Sequence, residues 1–153
     1  MSSRKQPAGF FALFIAMGML LLIACPVSAQ EATPGAADAA KPDHYFVTYY
    51  FHTTYRCPSC TKIEQWSEEA ILTGYEDRLR DSTLQWHSIN VDEPAHKHFV
   101  DDYQLYTKTL ILAEYKDGKQ VRWKNLDQVW HLLRNKEKFI NYVRTEINDW
   151  MKQ

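Results

Sequence analysis

Cysteine is scarce, three residues in a chain of 153, and no proline follows Pro94. Basic clusters are missing as well: 19 acidic residues stand against 18 basic ones, and two of the basic ones, Arg4 and Lys5, lie at the N-terminal end. Without a basic stripe the chain lacks the electrostatic footprint of a nucleic-acid binder, so nucleic acid is not expected as a partner. Covalent staples are not needed at this length. Residues 43–153 are long enough to bury about two thirds of their unfolded surface unaided, which weakens the case that the cysteines serve stability alone.

What is present begins with Arg4 and Lys5 leading into GFFALFIAMGMLLLIAC, residues 9–25, an uncharged apolar run with the layout of a secretory signal. Two endings compete. VSA before Gln30 offers small residues for ordinary cleavage, whereas Leu22-Ile23-Ala24-Cys25 is similar to a lipobox. An uncleaved anchor is the third alternative, although the run falls just short of the ~20 residues a span needs. Residues 1–29 are thus expected to be a signal peptide or lipoprotein signal. Residues 30–42, QEATPGAADAAKP, have no apolar period and read as a flexible linker. Residues 43–153 form one folded domain, exported to the periplasm or cell envelope, soluble or lipid-anchored. Contact with the membrane runs only through the lipid or the N-terminal anchor. Once Cys25 is removed or acylated, Cys57 and Cys60 are the remaining thiols, in a compartment where disulfides persist.

Tyr45 to His52, YFVTYYFH, is an unbroken aromatic and β-branched run, the pattern of a strand covered on both faces. Ile63, Trp66, Ala70 and Ile71 recur at helical spacing, which predicts a helix from Pro58 towards Leu79, bent or frayed at Gly74. A second strand follows over Leu84–Val91. Asp92 or Glu93 then caps, and Pro94 opens, a short helix ending near Tyr103. Thr109–Tyr115 and Gln120–Trp123 read as two strands joined by an Asp-Gly hairpin turn. From Leu126 the apolar positions keep a helical period to the end of the chain, with a break at Asn135. The order β-α-β-α-β-β-α predicts an α/β fold, a mixed four-stranded sheet with helices on both faces. Cys57 then falls at the carboxyl end of a central strand.

A thiol reacts as its thiolate, and a helix N-terminus stabilises one through partial positive charge and free N–H groups. Cys57 has that place, Pro58 suits the first helical position, and the three-residue step to Cys60 returns the second sulfur beside the first. Arg56 adds a neighbouring positive charge. Cys57 would attack a partner disulfide and Cys60 would resolve the mixed disulfide. A stabilising disulfide is one alternative, though so short a loop removes only ~2 kcal/mol of chain entropy. A metal site is the other, with His52, His96 or His98 as supplements. His96 and His98 stand two apart on a predicted helix and do not share a face, and past the signal only Met151 supplies a thioether, so no metal and no cofactor is expected. Trp66, Trp130 and Trp150 fall at apolar helical positions and read as core. Tyr55 and Tyr106 flank the expected site loops and could shape a partner groove.

Taken together, the buried strand, C-x-x-C at a helix start, SINVDEP, DDYQLYTKTLILAEYKDGK and the last helix resemble the thioredoxin superfamily over nearly the whole domain. Within it, FHTTYRCPSC, the long first helix and the secretory signal look like small exported thioredoxin-like proteins, the ArsF-like nitrophenyl-compound nitroreductase subunits. The resemblance implies a thioredoxin-like fold, Cys57 as nucleophile and Cys60 as resolver. It implies partner protein thiols and disulfides, a membrane electron-transfer protein among them. Two departures stand out. The family keeps a proline opposite the disulfide, where this chain reads Tyr106-Thr107-Lys108-Thr109, so Thr109 is placed there, with Tyr55 and Lys108 as further substrate-binding candidates. The family also buries a carboxylate where this chain has Phe51, which leaves proton transfer to water or another group such as Glu64. The alternative to an exchanging enzyme is a non-catalytic binding subunit of a redox complex, or a metal-handling C-x-x-C protein.

Overall fold

The computed structural model describes residues 42–153; the expected signal and nearly all of the linker lie outside them. Strand β1 (His44–His52) is followed by helices α1 (Pro58–Leu72) and α2 (Glu76–Arg80), then strand β2 (Leu84–Asn90). Helix α3 (His98–Asp102), strands β3 (Thr109–Lys116) and β4 (Lys119–Asn125) and helix α4 (Lys136–Met151) complete the order. The sheet runs β2-β1-β3-β4, with β1 parallel to β2 and antiparallel to β3, and β3 antiparallel to β4. The mixed four-stranded α/β architecture expected from the sequence is present. Among the described residues no helix is long and apolar enough to cross a membrane.

The aromatic run forms β1 because a strand at the centre of the sheet is covered on both faces, and alternate side chains supply two separate cores. Phe46 and Tyr50 join Leu84, Leu110 and Leu112 under α1 and α4, which contribute Ile63, Ala70, Ile71, Phe139, Val143 and Ile147. On the other face Phe51 packs with Tyr103, Ile111 and Ala113, partly covered by Phe99 of α3. Fully burying one side chain of this size contributes roughly 1.5–3 kcal/mol, so the α1/α4 face carries most of the hydrophobic stabilisation. Trp66, Trp130 and Trp150 all pack against this larger core, as their spacing predicts.

Several boundaries differ from expectation. Helix α1 stops at Leu72 rather than continuing to Leu79, because Arg144 of α4 donates from Nε to the Ala70 carbonyl (3.0 Å) and from Nη2 to Thr73 Oγ1 (2.7 Å), closing its last turn. Gly74 sits in that crowded turn, where an added Cβ would lie 2.7 Å from both the Ala70 oxygen and Arg144 Nε. Pro94 opens a 3-10 turn, Pro94–His96, without a side-chain cap; Asp92 is bonded elsewhere. The apolar positions after Leu126 do not begin the last helix. A 3-10 turn, Asp127–Trp130, comes first, and α4 starts only after Asn135, whose side chain accepts from the Lys138 N–H. Asp117 and Gly118 both take positive φ (52° and 73°), as a two-residue hairpin turn requires.

Candidate functional site

Strand β1 ends at His52, and six residues later Pro58 opens α1, with Cys57 as the capping residue between them. The loop is held from the side by the exit of β2. The Thr54 N–H donates to Asp92 Oδ2 (2.8 Å), Asn90 Nδ2 donates to Thr54 Oγ1 (3.1 Å) and the Val91 N–H donates to the His52 carbonyl (2.8 Å). Hydrogen bonds from the Thr54 backbone and hydroxyl hold the Asp92 carboxyl below the usual carboxylate range, with Lys108 and Lys97 adding to the effect.

Cys57 and Cys60 form a disulfide, with Cα atoms 5.0 Å apart. Cys57 Sγ accepts the Cys60 N–H at 3.1 Å, and the Cys57 carbonyl accepts the Thr61 N–H at 3.0 Å. The sulfur of the capping residue therefore occupies the place where an anion at a helix start is stabilised. The two sulfurs are not equivalent: Cys57 is half-buried, whereas Cys60 is 1% exposed. Tyr50 reaches across from β1 and donates its hydroxyl to the Cys60 carbonyl at 2.8 Å, fixing the first turn of α1 on the central strand.

Arg56 turns inward rather than towards solvent. Its guanidinium pairs with Glu64, approaches His52 Nε2 through Nη1 (3.1 Å) and lies 5.9 Å from the centre of the Tyr50 ring. Glu64 also accepts from the Ser88 hydroxyl of β2. Because Arg56 is a donor only, His52 accepts at Nε2 and carries its proton on Nδ1, directed at the Thr53 carbonyl (3.0 Å). Burial lowers the His52 pKa, and the neighbouring Arg56 charge adds to this.

Of the expected substrate-binding residues, the fold brings Lys108 and Tyr55 together: Lys108 Nζ lies 5.7 Å from the Tyr55 ring centre. Tyr55 is 75% exposed and Tyr106 is 95% exposed, so neither serves packing. Thr109 pairs in register with Phe51 and is 3% exposed, with its hydroxyl donating to Asn125 Oδ1 at 2.6 Å. The preceding Lys108 carbonyl accepts from Trp130 Nε1 (3.1 Å), and no peptide bond among the described residues is cis. Between β1 and α3 a groove of about 690 Å³ is floored by Phe51, Val91, Val100 and Leu105 and rimmed by Lys97 and Lys108.

His96 and His98 face different partners, the Asn90 carbonyl (3.1 Å) and Asp102 (2.7 Å). Among the described residues, no three His, Cys, Asp or Glu side chains are placed to share an ion. The sequence did not single out Tyr50, Ser88 or Asn90 as site residues. Tyr50 is one of three tyrosines in the run YFVTYYFH and nothing local set it apart; Ser88 and Asn90 carried no local signal.

No family model and no curated protein matches the chain. Among solved structures, a malarial protein is 13% identical with a TM-score of 0.36, the match covering 60% of this chain and 97% of that one. A thioredoxin from Thermus thermophilus is 22% identical with a TM-score of 0.34, covering 59% of this chain and 72% of that one. The backbone itself carries the assignment of fold: with its strand order, its mixed pairing and a C-x-x-C disulfide at the helix that leaves the central strand, the architecture is thioredoxin-like.

Proposed function

We propose that the protein is a thiol:disulfide oxidoreductase that exchanges electrons with partner proteins outside the cytoplasm. The observation that carries this is the asymmetry of the disulfide: Cys57 caps α1 and is accessible, while Cys60 is buried one turn in. In the reduced protein the Cys57 thiolate attacks one sulfur of a partner disulfide, and the other partner sulfur leaves as a thiolate and takes a proton. The Cys60 thiol then loses its proton and attacks Cys57 Sγ, forming the intramolecular disulfide and releasing the partner as a dithiol. Two electrons pass to the partner. The oxidised protein runs the same steps in reverse, and the difference in reduction potential sets the direction. Export rests on the apolar run of residues 9–25. Partners are accordingly extracytoplasmic thiol proteins, including an electron-transfer protein of the membrane.

Alkylation of the reduced protein near neutral pH tests the reading. Cys57 is expected to label well before Cys60, and a Cys60→Ser protein to accumulate mixed disulfides with its partners. Equal labelling, or Cys60 first, would overturn the assignment.

A second reading, a non-catalytic thioredoxin-fold subunit of a redox complex of the nitroreductase-subunit kind, draws support from the segment entering β3. Both the Lys108 carbonyl and the Thr109 hydroxyl are bonded within the protein. Slow exchange with model disulfides together with tight binding to one partner would favour it.

A further inference from the structure

The cysteines share one stripe of α1 with a charged residue. Cys57, Cys60 and Glu64 stand at the cap, three residues on and four beyond that, spacings that bring side chains onto the same helical face. An uncompensated carboxylate there would oppose formation of a thiolate on either sulfur. Arg56, immediately before Cys57, compensates it. The pair is well shielded, with side chains 29% and 21% exposed, so its charges act on their surroundings with less screening than at an open surface.

Resting on the reading of Cys57 and Cys60 as an exchanging dithiol, we propose that Glu64 is a positioning residue for that reaction. By pairing with Arg56 it fixes the net charge beside Cys57, and so sets how readily the thiolate forms and how oxidising the couple is. Reduction adds two electrons and, with one proton taken up at Cys60, leaves a thiolate on Cys57. Anything that stabilises this thiolate favours the reduced state and makes the disulfide a stronger oxidant.

The neighbourhood holds the pair in place on every side. Glu64 is tied to Ser88 of β2, and Arg56 to His52 and the face of Tyr50 on β1. Burial and the Arg56 charge lower the His52 pKa, while the Thr53 carbonyl, Glu93 and Asp92 pull it the other way. Arg56 Nε is buried without an acceptor, which leaves one donor uncommitted. The pair thus bridges β1, the Cys57 loop, α1 and β2 without contributing net charge, and removing either member exposes the charge of the other.

The test follows iodoacetamide alkylation of the reduced full-length protein against pH, alongside its reduction potential in dithiothreitol buffers. Glu64→Gln leaves an uncompensated guanidinium and should move the thiolate titration down by about half a pH unit or more, with a more oxidising potential. Arg56→Gln leaves an uncompensated carboxylate and should move both the other way. The double variant should return close to the parent, and Arg56→Lys, which keeps a cation, should titrate like the parent. Shifts of the two single variants in the same direction, or none, would overturn the proposal; a residue that only stabilises the fold would not give opposite shifts that cancel. Should Arg56→Gln not fold, Glu64→Gln decides alone, because a downward shift is required. Labelling of Cys60 first would overturn the nucleophile assignment, and the opposite shifts, read on Cys60, would still support or overturn the charge pair.

Discussion

Tyr50 and Cys60 are joined through a single hydrogen bond, the phenol of the central strand donating to the carbonyl of the buried cysteine at 2.8 Å. Burial pushes the Tyr50 pKa up to about 12, outweighing the Arg56 charge, which pulls the other way. A folded-state pKa above the unfolded one gives a contribution that is whole below about pH 10 and is lost as pH rises towards 12. Tyr50→Phe should therefore cost about 1 kcal/mol at neutral pH and flatten the loss of stability over that alkaline interval. Urea unfolding of the oxidised protein across the alkaline range measures both effects, and an unchanged slope would show that this phenol does not contribute.

Thr109 tests whether the segment entering β3 handles the partner. Thr109→Val removes the bond to Asn125 and should cost about 1 kcal/mol with little change in exchange. Thr109→Pro loses the same bond and also restricts the backbone, so the difference between the two variants isolates the loop. A several-fold faster reduction of model disulfides by Thr109→Pro than by Thr109→Val is expected. Equal rates would move the search for the partner-gripping segment to Tyr106 and Lys108.

At the opposite end of the sheet, buried Glu114 accepts from His44 Nε2 (2.8 Å), Lys116 Nζ (3.0 Å) and Arg122 Nε. Arg122 continues to the Trp150 carbonyl (3.0 Å), tying the sheet to the end of α4. Burial alone would raise the Glu114 pKa, but the hydrogen bonds from Arg122, Lys116 and His44 outweigh it and hold it below the ordinary value. With a depressed folded pKa, the stabilisation is present above the unfolded value and is lost as pH falls through the folded one. Glu114→Gln should cost about 2 kcal/mol at pH 7 and make the acid limb of the stability curve shallower, measured by denaturant unfolding between pH 7 and pH 2.

Gly74→Ala should destabilise by about 1–3 kcal/mol, since the new methyl meets the Ala70 backbone oxygen, which cannot move aside as a side chain can. Gly118→Ala meets no atom within 4 Å and carries only the strain of its positive φ, so the loss there should be smaller. A reversed order in thermal unfolding would show that the turn after α1 relaxes.

The strands, the hairpin and the place of the disulfide were legible in the sequence because each rests on local chemistry: the run YFVTYYFH, the Asp-Gly pair, and proline after cysteine at a helix start. The end of α1 was not, because it is made by Arg144, which lies far along the chain. The apolar positions Val129, Leu132 and Leu133 have helical spacing yet precede α4, where the Leu126 N–H is bonded to the Leu110 carbonyl and Trp130 Nε1 to that of Lys108. At the site, the cysteines declared themselves, but the inward turn of Arg56 depends on Glu64, Ser88 and His52 arriving from three elements. No short stretch of sequence contains that meeting.

Among the described residues, the first strand to be synthesised is also the one at the centre of the sheet. Phe46 has Leu84 on one side and Glu114 on the other, so an emerging chain holds the stickiest stretch of the domain unpaired until most of it has been made. Pairings this distant in sequence close late and slowly, and an apolar strand left waiting is open to pairing with another chain. In the interval, the segment that leads into Cys57 is the one most in need of a chaperone's cover.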